Sequence, residues 1–430
     1  MNLNAGKGQK LLINGGRRLE GRVKIHSAKN AILPILAATL LTSSTSVIED
    51  CPRFSDVLSS VDIIKSLGGS AEFDGDNLVI NTENVDNFRI PHNKTREMRS
   101  SVIFLGSLLA RCGQARLGLP GGCEIGSRPI DLHLKAFKQM GVEIADRHDE
   151  IVCRATNLKN SDIHLNFPSV GATENVMLLA AGSNIKVRLT NPAKEPEIVD
   201  LQAFLNKAGA HIEGAGTNEI LIQGTKRMRA VEHRSIPDRI VAATYLCAGA
   251  ITGGDVTVSD VIPSDLQAIL EVLRETGCEI DVRGDSVRLS APRRLNSVDY
   301  ICTMPHPGFP TDAQALMMSV LSVAHGASIF AENMFDNRYK HAEELTHMGA
   351  DITLDGRLAV VRGLCSGVDG GGLGRLSGTR LEGRDLRGTA ALIVAALNAQ
   401  GVSEVYGLEH LYRGYIGLAE GLNSLGADIC

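Results

Sequence analysis

The sequence predicts an α/β protein of two lobes, each built from three copies of one repeated unit. Three observations carry that prediction. A short tag, running apolar residue, glycine, small residue, polar residue, apolar residue, recurs six times along the 430 residues, once in a slightly lengthened form. Its glycines are Gly68, Gly141, Gly209, Gly277, Gly349 and Gly426, spaced by 68 to 77 residues. Ahead of each tag lie an apolar helical stretch and then an amphipathic one, and a chain of this length exceeds one typical core.

Each element of the unit has a physical reading. In the tag, an apolar residue closes a helix, the glycine supplies the left-handed C-cap and an alternating strand begins. The amphipathic helix before it is clear at 263–274, where Ser264 and Asp265 stand at the start. The earlier helices, at 30–41, 99–110, 172–181, 239–250, 312–323 and 387–397, are apolar nearly all round and are expected to be buried. Strand-like runs such as 46–50 and 255–259 follow them. The unit therefore reads strand, apolar helix, strand, amphipathic helix, strand pair. Six units divide into two sets of three, with helices inside and sheets outside, and a ligand is expected in the cleft between lobes. A continuous solenoid is disfavoured because units of this length exceed its usual repeat of roughly 20–45 residues.

Composition excludes several functions. Hydrophobic residues make up 43% and charged residues 22%, as in ordinary globular proteins. A net charge of −5, 4% aromatic residues and no tryptophan argue against a nucleic-acid or membrane binder. The nine cysteines form no Cys-x-x-Cys pair and no zinc spacing, so neither a disulfide framework nor a metal site is expected, and a reducing cytoplasm fits best. Residues 1–10 lack the apolar core of a signal peptide, and the apolar run 31–41 is too short to span a bilayer.

One cysteine stands apart. Cys123 follows Pro120-Gly121-Gly122 and precedes Gly126 and Arg128, so its thiol lies on a glycine-rich, cationic loop better suited to chemistry than to packing. Other singular residues fall at helix starts: Lys29 and Asn30, Arg99, Arg128, Ser169 and Gly171, Asp312, Asp385 and Arg387, with Arg338 and Arg413 expected to open second helices. Lysine and arginine there disfavour the helix and favour a bound phosphate or carboxylate. Taken singly, Asp312 and Ser169 read as ordinary helix caps and the arginines as surface residues; His133, His306 and His341 have no ligand spacing. No Walker loop, Gly-x-Ser-x-Gly, His-Glu-x-x-His or dinucleotide fingerprint is present, so an anion site would be assembled from scattered arginine and lysine.

These motifs, in order, resemble the MurA-type enolpyruvyl transferases. The likeness rests on Ala28-Lys29-Asn30-Ala31, Met98-Arg99-Ser100, residues 119–133, residues 167–173, residues 195–200, Pro237-Asp238-Arg239, residues 305–312, Asn337-Arg338, Asp385-Leu386-Arg387 and Arg413-Gly414-Tyr415. It covers essentially the whole chain. The resemblance implies an inside-out α/β barrel of two domains and six repeated units, with one lobe at 29–236, carrying Cys123 on a lid loop, and the other formed by 1–28 plus 237–430.

The resemblance also implies an activity: the enolpyruvyl group of phosphoenolpyruvate moves to the 3′-hydroxyl of UDP-N-acetylglucosamine and phosphate is released, the committed step towards peptidoglycan. It makes Cys123 the proton donor to the methylene carbon and Asp312 the acceptor of the hydroxyl proton. Lys29, Asn30, Arg128, Arg413 and Cys123 become phosphoenolpyruvate binders, and Lys29 and Arg413 join Cys123 and Asp312 as catalytic residues. Arg99, Arg128, Pro129, Ile130, Asp131, Leu132, Phe167, Pro168, Ser169, Val170, Gly171, Asp312, Met334 and Arg338 become nucleotide-sugar positions, and Asp385 and Arg387 closing residues. No metal or cofactor is implied. The sequence departs from the family at Ser27, Val241 and Ala243 and in an extra loop at 366–374, which keeps open a paralogous transferase acting on another nucleotide or nucleotide sugar, or a catalytically silent UDP-sugar-binding regulator. The shikimate-pathway relative is disfavoured by the Gly-Gly-Cys loop.

Overall fold

A computed structural model describes residues 8–118, 130–147, 150–365 and 374–430. The described residues divide into two compact units, one comprising those up to His26 with those from Pro237 onward, the other those between Ser27 and Ile236. Among the described residues no helix is long and apolar enough to cross a membrane.

Every repeat contributes one small sheet, and the strand order is nearly invariant. In the third, Ser161–His164 runs parallel to Lys186–Thr190, which pairs antiparallel with Glu219–Gln223, itself antiparallel to His211–Glu213. The strands alternate buried and exposed side chains, so each sheet covers apolar helices with one face and meets solvent with the other. Three sheets are completed by strands distant in sequence. Glu232–Arg234 lies parallel to Thr45–Glu49 in the first sheet, and Glu20–Lys24 lies parallel to Asp255–Ser259 in the fourth. In the sixth, Leu11–Asn14 pairs antiparallel with Val402–Tyr406, and a bridge from Ile13 to Ile429 stands where the other sheets have a fourth strand.

The tag behaves as its chemistry requires. Its six glycines adopt φ values between +93° and +119°, and each ends a helix before the next strand or bridge. The apolar helices are interior. All residues from Ile240 to Ile251, from Ala172 to Ala181 and from Arg387 to Asn398 are buried. In one unit the helices Arg239–Ile251, Thr311–Leu321 and Leu386–Asn398 pack on one another. Two side chains pair across that bundle: Ser319 donates to the Ala391 carbonyl at 2.9 Å, and Asn398 donates to the Ile251 carbonyl at 3.0 Å. In the other unit Phe104–Cys112 packs on Val170–Ala181 and on Lys29–Thr39.

Four expectations need correction. The stretch 263–274 is a 3₁₀ turn, Pro263–Leu266, followed by an α-helix, Gln267–Glu275. Arg338 does not open its helix but lies in the turn before Lys340–His347. The stretch 99–110 is not one α-helix but a 3₁₀ turn, Arg99–Ile103, followed by an α-helix, Phe104–Cys112. Arg413 does not open a helix: it lies in the turn between Leu408–Leu411 and Leu418–Ser424, because left-handed Gly417 (φ +63°) delays the second helix to Leu418. Of the extra loop, 366–373 falls outside the described residues. Ser27 is buried and donates to the Ser235 carbonyl at 3.4 Å, while Val241 and Ala243 sit in the buried helix Arg239–Ile251.

The tag glycines yield a stability test. A Cβ at Gly349 would meet nothing within 4 Å, so Gly349→Ala isolates the left-handed backbone penalty. We expect a cost of about 1–2 kcal/mol, read as a lower urea midpoint. Gly141→Ala should cost more, because its Cβ would collide with the Asn157 carbonyl oxygen.

Candidate active site

Polar chemistry concentrates at the N-terminal ends of the buried helices. Three of those ends carry side-chain caps. Ser169 Oγ accepts from the Ala172 N–H at 3.4 Å, Asp238 from Ile240 and Val241 at 2.9 and 3.0 Å, and Asp385 from Arg387 and Gly388, both at 3.0 Å. The helices Lys29–Thr39 and Thr311–Leu321 are entered from Ala28 and Pro310 instead, neither of which has a side chain able to cap. These two ends carry Lys29 and Asp312.

Asp312 is held by two arginines. Arg338 Nη2 donates to Oδ1 at 2.8 Å, and Arg387 donates to Oδ2 through Nη2 at 2.9 Å and Nε at 3.1 Å. The arginine side chains are 4% and 3% exposed, against 27% for Asp312. The carboxylate is thus the open end of a buried ion triad bearing one net positive charge. Burial works against the Arg387 charge, but Asp312 outweighs it and holds the guanidinium above its usual range. The Arg387 guanidinium also lies 5.5 Å from the Tyr415 ring centroid, and Tyr415 Oη pairs with Thr244 Oγ1 at 2.8 Å. The Asp385 cap fixes the backbone from which Arg387 projects. Asp312 Oδ2 thus accepts two of these donors and Oδ1 one, and the carboxylate is the most exposed member of the triad.

In the other unit Lys29 is buried and pairs with Asp56 at 2.8 Å, their side chains 11% and 4% exposed. Asn30, next to it, is half-buried. The remaining expected residues of this unit are gathered by Asn175. Its Oδ1 accepts from the Gly106 N–H at 2.7 Å, while Nδ2 donates to the Val102 carbonyl at 3.0 Å. In an unbroken α-helix those two backbone groups would bond each other. The Asn175 amide inserts between them and splits the helix into its 3₁₀ and α segments, with Arg99 on the 3₁₀ part. Gly106 permits the approach, since a Cβ there would lie 2.5 Å from the Asn175 carbonyl oxygen. Asn175 Nδ2 also reaches His133 Nδ1 at 2.9 Å and the Gly171 carbonyl at 3.4 Å. One side chain therefore ties together the segment of Arg99, the helix Asp131–Gln139 and the helix start at Gly171.

Several expected positions line these segments. Ile130 and Leu132 are half-buried, Asp131 is exposed, Phe167 is 43% exposed, and Pro168, Ser169, Val170 and Gly171 form the half-buried entry to Val170–Ala181. Met334 is half-buried in the turn before Arg338, and Arg413 is half-buried in its own turn. Cys123, Arg128 and Pro129 lie outside the described residues, as does the side chain of Arg99. The sequence reading missed Asp56 and Asn175. The signal for Asn175 was present: Thr173-Glu174-Asn175 is a polar triplet inside an otherwise apolar helix, and all three residues are buried. Among the described residues no three His, Cys, Asp or Glu side chains gather as a metal site.

Known proteins resemble the whole chain. The family model for EPSP synthase (3-phosphoshikimate 1-carboxyvinyltransferase) matches residues 13–422. UDP-N-acetylglucosamine 1-carboxyvinyltransferase 2 of Caldanaerobacter subterraneus subsp. tengcongensis is 49% identical over 420 residues, covering 98% of this chain and 99% of the relative. UDP-N-acetylglucosamine 1-carboxyvinyltransferase of Thermotoga maritima is 44% identical over 422 residues, covering 98% of both. Among solved structures, the enolpyruvyl transferase NikO from Streptomyces tendae aligns with a TM-score of 0.86 at 26% identity over 98% of each chain. EPSP synthase from Acinetobacter baumannii aligns at 0.75 and 17% identity, over 98% of this chain and all of that one, a likeness of fold alone.

The two buried histidines beside these clusters give a pH test. Burial pushes His133 down to about 4 against the weaker pull of Asp131. Burial likewise pushes His341 down to about 4, opposed by Asp385 and aided by Arg338. Both stay neutral when folded and take a proton near pH 6.5 when unfolded, so the unfolded chain binds more protons between those values. Stability should be full above about pH 6.5 and fall towards pH 4, by up to about 1.4 kcal/mol per pH unit for each histidine. Urea midpoints measured across that range should flatten in His133→Gln and again in His341→Gln.

Proposed function

The chain belongs to the EPSP synthase family of enolpyruvyl transferases, and from that premise we propose that it transfers the enolpyruvyl group of phosphoenolpyruvate to the 3′-hydroxyl of UDP-N-acetylglucosamine, releasing phosphate. The observation that carries this reading is full-length identity of 42–49% to several enzymes named for that reaction. The reaction then supplies a precursor of peptidoglycan. We assign it to the cytoplasm, a setting that suits the eight described cysteines, all free thiols.

The described residues support specific roles. Asp312, open to solvent at one end of its ion triad, receives the proton of the acceptor hydroxyl as that oxygen bonds to C2 of phosphoenolpyruvate. Arg338 and Arg387 hold both carboxylate oxygens, which fixes the orientation of the carboxylate and avoids reorganisation during the reaction. The Cys123 thiol delivers a proton to C3, giving a tetrahedral adduct. Loss of a C3 proton and departure of phosphate restore the enol ether, so the sum is phosphoenolpyruvate plus alcohol giving enolpyruvyl ether plus phosphate. Lys29, Asn30, Arg128 and Arg413 bind the phosphate and carboxylate. Lys29 brings its ammonium already paired with Asp56, so phosphoenolpyruvate competes with or displaces that carboxylate. Arg99, residues 128–132 and 167–171, and Met334 receive the nucleotide sugar, the segments of one unit being held in register by Asn175.

Phosphate release from phosphoenolpyruvate should require UDP-N-acetylglucosamine, and other nucleotide sugars should fail to replace it. Release with a different acceptor only would assign another enolpyruvyl transfer, and binding of the nucleotide sugar without release would mark a silent binder. Asp312→Asn and Cys123→Ser should each lower kcat by about 10²–10⁴, the range of a positioned acid or base. Covalent labelling by fosfomycin in the presence of nucleotide sugar should map to Cys123 by peptide mass; a label on another cysteine would remove Cys123 from its role.

A further inference from the structure

Glu332 is nearly fully buried at 1% exposure, and no motif drew attention to it. It directly follows the strand Ala327–Ala331 and stands at the entry to the turn that carries Met334, Phe335 and Arg338. Its two oxygens do different work. Oε1 accepts from the Thr303 hydroxyl at 2.9 Å, from the Met334 N–H at 2.8 Å and from the Phe335 N–H at 3.1 Å. Oε2 accepts from the Thr311 hydroxyl at 2.9 Å. Thr311 is the first residue of the helix that presents Asp312, and its carbonyl accepts from Arg338 Nη2 at 3.3 Å. Thr303 Oγ1 in turn accepts from the Asn333 N–H at 2.9 Å.

We propose that Glu332 is a positioning residue that couples the nucleotide-sugar turn at Met334 to the helix start carrying Asp312. The proposal rests on the enolpyruvyl-transfer reading and adds to it a residue that fixes the proton acceptor relative to its substrate. A buried carboxylate is costly unless its lone pairs are used, and here four donors from three segments use them. Only a carboxylate answers all four. A glutamine at this position has one acceptor oxygen, so its amide hydrogens would face either the Thr311 hydroxyl or the pair of backbone N–H groups. The negative charge also lies against the N-terminal end of Thr311–Leu321, where the helix dipole favours it and where Pro310 offers no side-chain cap. Asp312 is thus steered from two sides: Arg338 and Arg387 grip its carboxylate, while Glu332 fixes the backbone one residue before it.

The test separates positioning from plain folding. In Glu332→Gln, calorimetry should read a loss of UDP-N-acetylglucosamine affinity of about tenfold, and steady-state kinetics a fall in kcat of about tenfold, as expected for a misplacement well under an ångström, with KM for phosphoenolpyruvate unchanged. Thr311→Val cuts only the Oε2 arm and should lower kcat while leaving sugar affinity intact; Thr311→Ser, which keeps the hydroxyl, should restore kcat. Melting temperatures of the two Thr311 variants control for folding, and that pair decides the question even if Glu332→Gln folds poorly. Equal kcat in Thr311→Val and Thr311→Ser, or wild-type sugar affinity in folded Glu332→Gln, would overturn the proposal. Calorimetry reads the Glu332 arm without turnover, so failure of the unsubstituted chain to release phosphate would count against the functional reading separately.

Discussion

A helix buried on every side can meet charge only at its ends, and that constraint organises this protein. The six apolar helices are enclosed by their sheets and by one another, so a charged residue along their length would lose water with nothing in return. Their N-terminal ends are different. Backbone N–H groups and the dipole there favour anions and acidic groups. Lys29, Ser169, Asp238, Asp312, Asp385 and Arg387 all stand at such ends. The repeat that builds the core thereby also decides where chemistry can occur.

Charge at these ends is not left bare. Asp312 is shared by two almost wholly buried arginines, and Lys29 is matched by Asp56. Removing one partner of such a cluster leaves an uncompensated buried charge, at a cost of about 3–5 kcal/mol, so the clusters resist loss of any member. They also remain incomplete in a useful sense. The Asp312 triad has one cation in excess and its acidic member is the most exposed of the three, an arrangement that accepts a donor at the carboxylate while favouring negative charge nearby.

The supporting polar residues act on backbone as much as on side chains. Asn175 replaces a helical hydrogen bond with two of its own, and the segment bearing Arg99 is 3₁₀ rather than α-helical. Glu332 gathers two N–H groups and two hydroxyls from three segments. Each lies away from the helix-start motifs, and each sets geometry at several expected substrate contacts together. Repetition supplies a similar scaffold six times, and single buried polar residues make the copies unlike.

The sequence by itself determined the six units, the left-handed glycine that closes each one, the burial of the apolar helices and the identity of Asp312, Arg387 and Lys29 as residues at helix ends. Those features are local: a glycine cap, an apolar run or a charged first turn is written within a few neighbouring residues. Only the tertiary structure decided the rest. It paired Asp312 with arginines 26 and 75 positions away, set Asp56 against Lys29, inserted Asn175 into the helix of Gly106, and completed the sixth sheet with Leu11–Asn14 from the opposite end of the chain. Such pairings depend on which surfaces the packed helices bring within about 3 Å, a distance at which hydrogen bonds form and about which sequence separation carries no information.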